Sequence, residues 1–204
     1  MTDRLDVVAI GNAIVDVLAR VEEDFLAEHR IDKGVMQLID AEAAQRLYST
    51  MPPGREISGG SAANTVAGLA ALGARTAFVG KVRDDQLGRI FSHDIRALGT
   101  EYNGPVANGA AGEETARCLV MVTPDGERSM STYLGVSAAL APEDIDVALM
   151  ARADWLYLEG YLFDSPAAKE AYARAIGAVK AAGGRVAFTV SDPFCVERHR
   201  EDMK

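Results

Sequence analysis

Short apolar runs that end in glycine and alternate with helix-period segments constrain this chain most. The stretch "GGSAANTVAGLAALGARTAFVGKVRDDQLG", from Gly59 to Gly88, contains one full cycle. Val66, Leu69 and Ala70 share a helical face from Ser61 onward, Gly73 stands where a helix C′ residue is wanted, and "TAFVG" (Thr76 to Gly80) reads as a strand. "LDVVAIG" (Leu5 to Gly11) is a strand of the kind buried on both faces of a parallel sheet. "DWLYLEG" (Asp154 to Gly160), a helix over Ser165 to Ala182 stopped by Gly183 and Gly184, and "RVAFTV" (Arg185 to Val190) repeat the cycle. Strand, helix and strand in this order predict an α/β fold with a mostly parallel sheet.

The remaining segments do not follow the cycle. A helix is expected near Glu22 to His29 and another near Asp85 to Leu98, with a Pro-Pro-Gly turn at Pro52 to Gly54. "TARCLVMV" and "ERSMSTYL", joined through "TPDG", read as a hairpin. Extra strands within about residues 15–58 and 106–133 are expected to form a small lid over the layered domain. No internal repeat or low-complexity tract is present.

At 204 residues, 49% of them hydrophobic, the chain has the size of one globular domain. A formal net charge of −9 argues against a duplex nucleic-acid binder, which needs concentrated Lys and Arg. Cys118 and Cys195 lie far apart, and His29, His93 and His199 are scattered, so neither a disulfide framework nor a metal site is expected. The first residues resemble neither an export signal nor a membrane span, and a cytoplasmic protein is expected.

Ligands of open α/β sheets bind beyond the carboxyl ends of the strands. Asp16, Gly59, Gly60, Asn64 and Glu159 all fit such positions. The glycine pair precedes a helix whose first N–H groups a hydroxyl or anion could approach, Asn64 can donate and accept, and Asp16 offers two acceptors to a vicinal diol. Together they describe a polyol site, and a Cβ at Gly60 is expected to obstruct a ligand more than the fold. Each has a plainer alternative: a turn for the glycines, a backbone partner for Asn64, an Asx turn for Asp16, a solvated carboxylate for Glu159. Cys118 and Trp155 read as packing residues, and Asp84 and Asp85 as a helix-start pair. Neither G-x-x-x-x-G-K-[ST] nor G-x-G-x-x-G after the first strand occurs.

These residues resemble the PfkB, or ribokinase, family of carbohydrate and nucleoside kinases along essentially the whole chain. "GGSAAN", the Ala-rich helix and "GKVRDDQLG" are similar to its N-terminal signature, and "GNAIVD" to its first strand-loop element. The resemblance implies a ribokinase-like three-layer sandwich with a β-strand lid, the whole of residues 1–204 being the N-terminal portion of one kinase domain. It implies acceptor contacts from Asn12, Asp16, Gly59, Gly60 and Asn64. Ser61 stands where ribokinase-like members usually carry Lys, and "GGS", "DWLYLEGYLFD" and "FTVSDPFCVERHR" resemble adenosine-kinase-like sequences. A nucleoside, adenosine first, is therefore the expected acceptor. The alternatives are a sugar acceptor and a non-catalytic nucleoside-binding module.

The family uses ATP and Mg²⁺, with a carboxylate base in a Gly-Ala-Gly-Asp motif and an Asn-x-x-Glu motif upstream of it. Neither motif occurs in this chain, so no catalytic base and no metal ligand are assigned. The family's C-terminal third is read as absent, and the 204 residues alone are expected to be inactive. A homodimer through the lid, and no membrane partner, complete the expectations.

Overall fold

The computed structural model describes residues 4–107 and 113–203. In chain order, the strands are β1 (Leu5–Ile10), β2 (Ile14–Arg20), β3 (Met36–Leu38), β4 (Arg55–Gly59), β5 (Thr76–Val79), β6 (Val82–Arg83), β7 (Thr100–Glu101), β8 (Val106–Ala107), β9 (Ala116–Val122), β10 (Arg128–Tyr133), β11 (Ala153–Glu159) and β12 (Arg185–Thr189). The α-helices are α1 (Glu23–Glu28), α2 (Ala41–Thr50), α3 (Ser61–Ala71), α4 (Gln86–Ala97), α5 (Val147–Ala151), α6 (Pro166–Ala181) and α7 (Pro193–His199).

β12, β11, β1, β5 and β7 form the main sheet in that order, and every pairing is parallel. β1 alternates its buried side chains between two cores. Val8 and Ile10 join Leu156, Leu158, Ala171, Ala175 and Val179 beneath α6. Ala9 joins Val66, Phe78, Phe91, Ile95 and Tyr102 beneath α3 and α4. Helices on both faces of one sheet make the expected three layers.

Local chemistry sets the helix ends. Asp85 caps α4 by accepting from Gly88 N at 2.8 Å, and its carboxylate also takes Thr115 N and Thr115 Oγ1. Ser165 caps α6, whose first residue is Pro166. Gly73 ends α3 at φ +92°, a value that disfavours any side chain.

A second five-stranded sheet runs β3, β10, β9, β2, β4. β9 and β10 form the hairpin, β2 pairs parallel to β9 and antiparallel to β4, and β3 joins parallel to β10. One face packs Val17, Leu119 and Met121 against Leu26 and Leu47 of α1 and α2. Of the expected lid span 106–133, residues 108–112 lie outside the described residues. No described helix is long and apolar enough to cross a membrane.

Two readings need correction. Between the expected helix near Glu22 to His29 and Gly60, where only a turn and lid strands were expected, lies the ten-residue α2, capped by Asp40 on Ala43 N at 2.7 Å. Trp155 is not enclosed: it is 41% exposed, with the Arg185 guanidinium 5.4 Å above its ring.

Candidate functional site

The carboxyl ends of β1 and β11 meet the start of α3. Gly11 permits this approach, because a Cβ there would stand 2.6 Å from the Ala62 methyl and 2.7 Å from the Glu159 carboxyl carbon. Glu159 is 1% exposed. Its Oε1 accepts from Asn12 N at 2.6 Å and Asn12 Nδ2 at 2.9 Å. Its Oε2 accepts from Ser61 Oγ at 2.5 Å and Ala62 N at 3.1 Å. Burial pushes the Glu159 carboxyl above the ordinary range, and these four donors oppose that rise by stabilising the ionised form. The arrangement overturns the solvated-carboxylate alternative: Glu159 joins the β1–β2 connection to the α3 N-terminus. Asn12 Oδ1 accepts from Ser137 Oγ at 2.9 Å, which orients the amide.

The expectation that Asp16 stands beyond a strand end or in an Asx turn is corrected: it lies within β2, opposite Ile57 of β4. Burial raises its carboxyl from 3.8 to about 6, with the charge of Arg128 working against the rise. The space a Gly59 Cβ would fill is occupied by the Asp16 carboxyl group. Gly60 stands at φ +98°, and its missing Cβ would overlap the Asn12 carbonyl oxygen. Protein atoms therefore demand both glycines, and the expectation that Gly60 tolerates a side chain conformationally is revised. Gly60→Ala is expected to cost about 2 kcal/mol through left-handed strain and the clash with Asn12. Chemical denaturation measures it, and a loss below about 0.5 kcal/mol would show that the turn relaxes freely.

Asn12, Ser61 and Glu159 border a cavity of about 270 Å³ between the two sheets. Ile14, Met36, Leu38, Leu134 and Phe194 give it an apolar side. Asp16, Gly59, Gly60 and Asn64 are not part of its wall. Asp16 and Gly59 touch each other beside it, and Gly60 abuts Asn12. Asn64 is exposed on the first turn of α3, its N–H bonded to Gly60 O at 2.9 Å.

Sequence reasoning missed the apolar side. Met36 and Leu38 are 39% and 58% exposed on the outer strand β3, and Phe194 is 70% exposed on α7. α7 is held by its cap, Asp192 accepting from Cys195 N at 2.7 Å, and by Arg198, which donates to both Asp164 oxygens at 3.0 and 2.9 Å.

The family model described as "pfkB family carbohydrate kinase" matches residues 5–201. The chain belongs to this family. Its fold is similar to adenosine kinase from Sinorhizobium meliloti, 50% identical, with a TM-score of 0.88 over 98% of this chain and 61% of that one. It is equally similar to a probable sugar kinase protein from Rhizobium etli CFN 42, 48% identical, TM-score 0.87, over 100% of this chain and 61% of that one. Among curated pfkB relatives, Fructokinase-1 of Oryza sativa subsp. japonica is 33% identical over 64% of this chain and 40% of its own length. The 5-dehydro-2-deoxygluconokinase of Halalkalibacterium halodurans is 28% identical over 92% of this chain and 50% of its own. The chain thus matches half or less of these curated relatives. Sugar and nucleoside kinases both occur among its neighbours.

Proposed function

We propose that this chain supplies the acceptor-binding part of an ATP-dependent phosphotransferase whose acceptor is a nucleoside, with adenosine the first choice. The observation that carries this reading is the two-sided cavity. Asn12 and Ser61 border it at the strand ends and Asp164, Asp192 and Arg198 line it beside Phe194, whereas Met36, Leu38, Leu134 and Phe194 offer an apolar surface of the kind a planar base covers. A free sugar has polar groups all round and gains little from such a wall. The adenosine kinase at 50% identity and the probable sugar kinase at 48% do not separate the two acceptors, so the choice rests on the cavity.

In this reading Asp16 accepts from the ribose hydroxyls, and Gly59, Gly60 and Asn64 complete the ribose end. ATP is the donor expected for the family, and it supplies the transferred phosphoryl group. Among the described residues no three His, Cys, Asp or Glu side chains converge as metal ligands. No metal ligand and no transfer step are assigned to the described residues. The 204 residues alone are proposed to bind acceptor without turnover.

Isothermal titration of the chain with adenosine, ribose and fructose tests the acceptor. Adenosine is expected to bind at least tenfold more tightly than either sugar, roughly the 1.4 kcal/mol that partial burial of a base supplies. Equal or tighter binding of a sugar would reverse the assignment.

A further inference from the structure

β4 is the outer strand of the second sheet, so alternate N–H groups along it face away from β2. Ser58, buried and opposite Val15, turns its N–H outward. Asp94 of α4 meets it, its Oδ2 accepting from Ser58 N at 2.7 Å. α4 is itself immobilised, since Phe91 and Ile95 on either side of Asp94 are fully buried in the core under the main sheet. The bond therefore ties an outer strand of one sheet to a helix of the other, at the residue that precedes Gly59. Gly59 in turn abuts the Asp16 carboxyl, and Gly60 abuts Asn12.

We propose that Asp94 is a positioning residue for the acceptor site: by taking the Ser58 N–H it holds Gly59 against Asp16 and so fixes where the Asp16 carboxylate sits. Its relevance to a ligand rests on the function proposed above, but its effect on Asp16 does not. A carboxylate on a rigid helix can accept a lone edge N–H strongly, because the bond is charge-assisted and loses little side-chain freedom. No other element holds Ser58 N among the described hydrogen bonds. The charge acting on Asp16 is that of Arg128 of β10, while the Cys118 thiol of β9, its partner in the β2–β9 pairing, is raised to about 11 by burial first and also by the charge of Asp16.

The test reads the titration of Asp16 by carboxyl-carbon NMR in the 204-residue chain. The wild-type midpoint is expected near 6. Asp94→Ala frees Ser58, lets water reach Asp16 past Gly59, and should lower the midpoint by about one unit or more. Asp94→Asn loses the same charge but retains an acceptor oxygen, and should restore most of the wild-type midpoint. If the two variants shift Asp16 equally, the charge of Asp94 acts and the proposal falls. It also falls if Asp94→Ala lowers the thermal midpoint and leaves Asp16 unmoved. Should Asp94→Ala fail to fold, Asp94→Glu is read the same way. That variant displaces the carboxylate by one methylene, so a shift beyond about half a unit supports the proposal and an unmoved midpoint overturns it. A wild-type chain that titrates as expected yet binds no adenosine would reject the functional reading and leave Asp94 as a positioning residue for Asp16.

Discussion

Replacing Glu159 with Ala is expected to lower the thermal midpoint of the chain by roughly 6–12 °C. Glu159 accepts four hydrogen bonds at a fully buried point, from Asn12 N, Asn12 Nδ2, Ser61 Oγ and Ala62 N. Truncation strands these donors where water enters poorly, and each stranded group costs about 1–3 kcal/mol before relaxation. Partial hydration of the new space reduces the sum to about 3 kcal/mol, which for a chain of this size gives the stated shift. Glu159→Gln should lie between, since its amide oxygen still serves Asn12 while its NH₂ cannot accept from Ala62 N. Scanning calorimetry decides. An alanine variant that melts within about 2 °C of wild type would show that the four bonds add little over hydration.

Asp16→Asn should move stability and binding in opposite directions. The folded carboxyl titrates near 6 against an ordinary 3.8. Between about pH 4 and 6 the folded chain retains a proton that the unfolded chain has released. Stability from this group is therefore fully present below the unfolded value and falls as pH rises through that window. The two-unit displacement corresponds to about 3 kcal/mol, reduced to roughly 2 because Asp16 is only half-buried. A neutral amide at this position would carry no such penalty, so the variant should melt about 4–8 °C higher at neutral pH and show no gain below pH 4. Nucleoside affinity should drop about 10- to 100-fold, since a charged acceptor is worth about 1.5–3 kcal/mol per hydrogen bond. Melting curves across pH, paired with adenosine titration, check both halves. An amide variant no more stable than wild type at neutral pH would mean that Asp16 is not destabilised by burial.

How far the sequence reveals this molecule depends on the range of the interactions involved. The parallel sheet was legible because β1 and β5 are buried on both faces and leave continuous apolar runs. Gly73 and Asp85 were legible because helix ends are set by neighbours a few residues away. α2 was not, since only Ala44 and Leu47 of its ten residues are buried and its apolar stripe is thin. The two-residue strands β6, β7 and β8 lack the length to show a period. At the site, Glu159 and the glycine pair could be proposed from strand ends, and Asn12 from the family resemblance of "GNAIVD". What the glycines accommodate could not, because Asp16 and Asn12 reach them only through pairing of β2 with β4. Met36, Leu38 and Phe194 converge from segments more than 150 residues apart, and no local pattern marks such a meeting.

β1 ends at Ile10 in one sheet and β2 begins at Ile14 in the other, so only Gly11, Asn12 and Ala13 connect them. Three residues reach at most about 10 Å and contain six soft torsions. Such a coupling has no slack. If the second sheet swings, Asn12 turns with it, and the bonds from Asn12 to Glu159 and Ser137 must stretch or exchange. The angle between the sheets and the presentation of polar groups at the strand ends thus behave as a single geared coordinate, and the short strap is its axle.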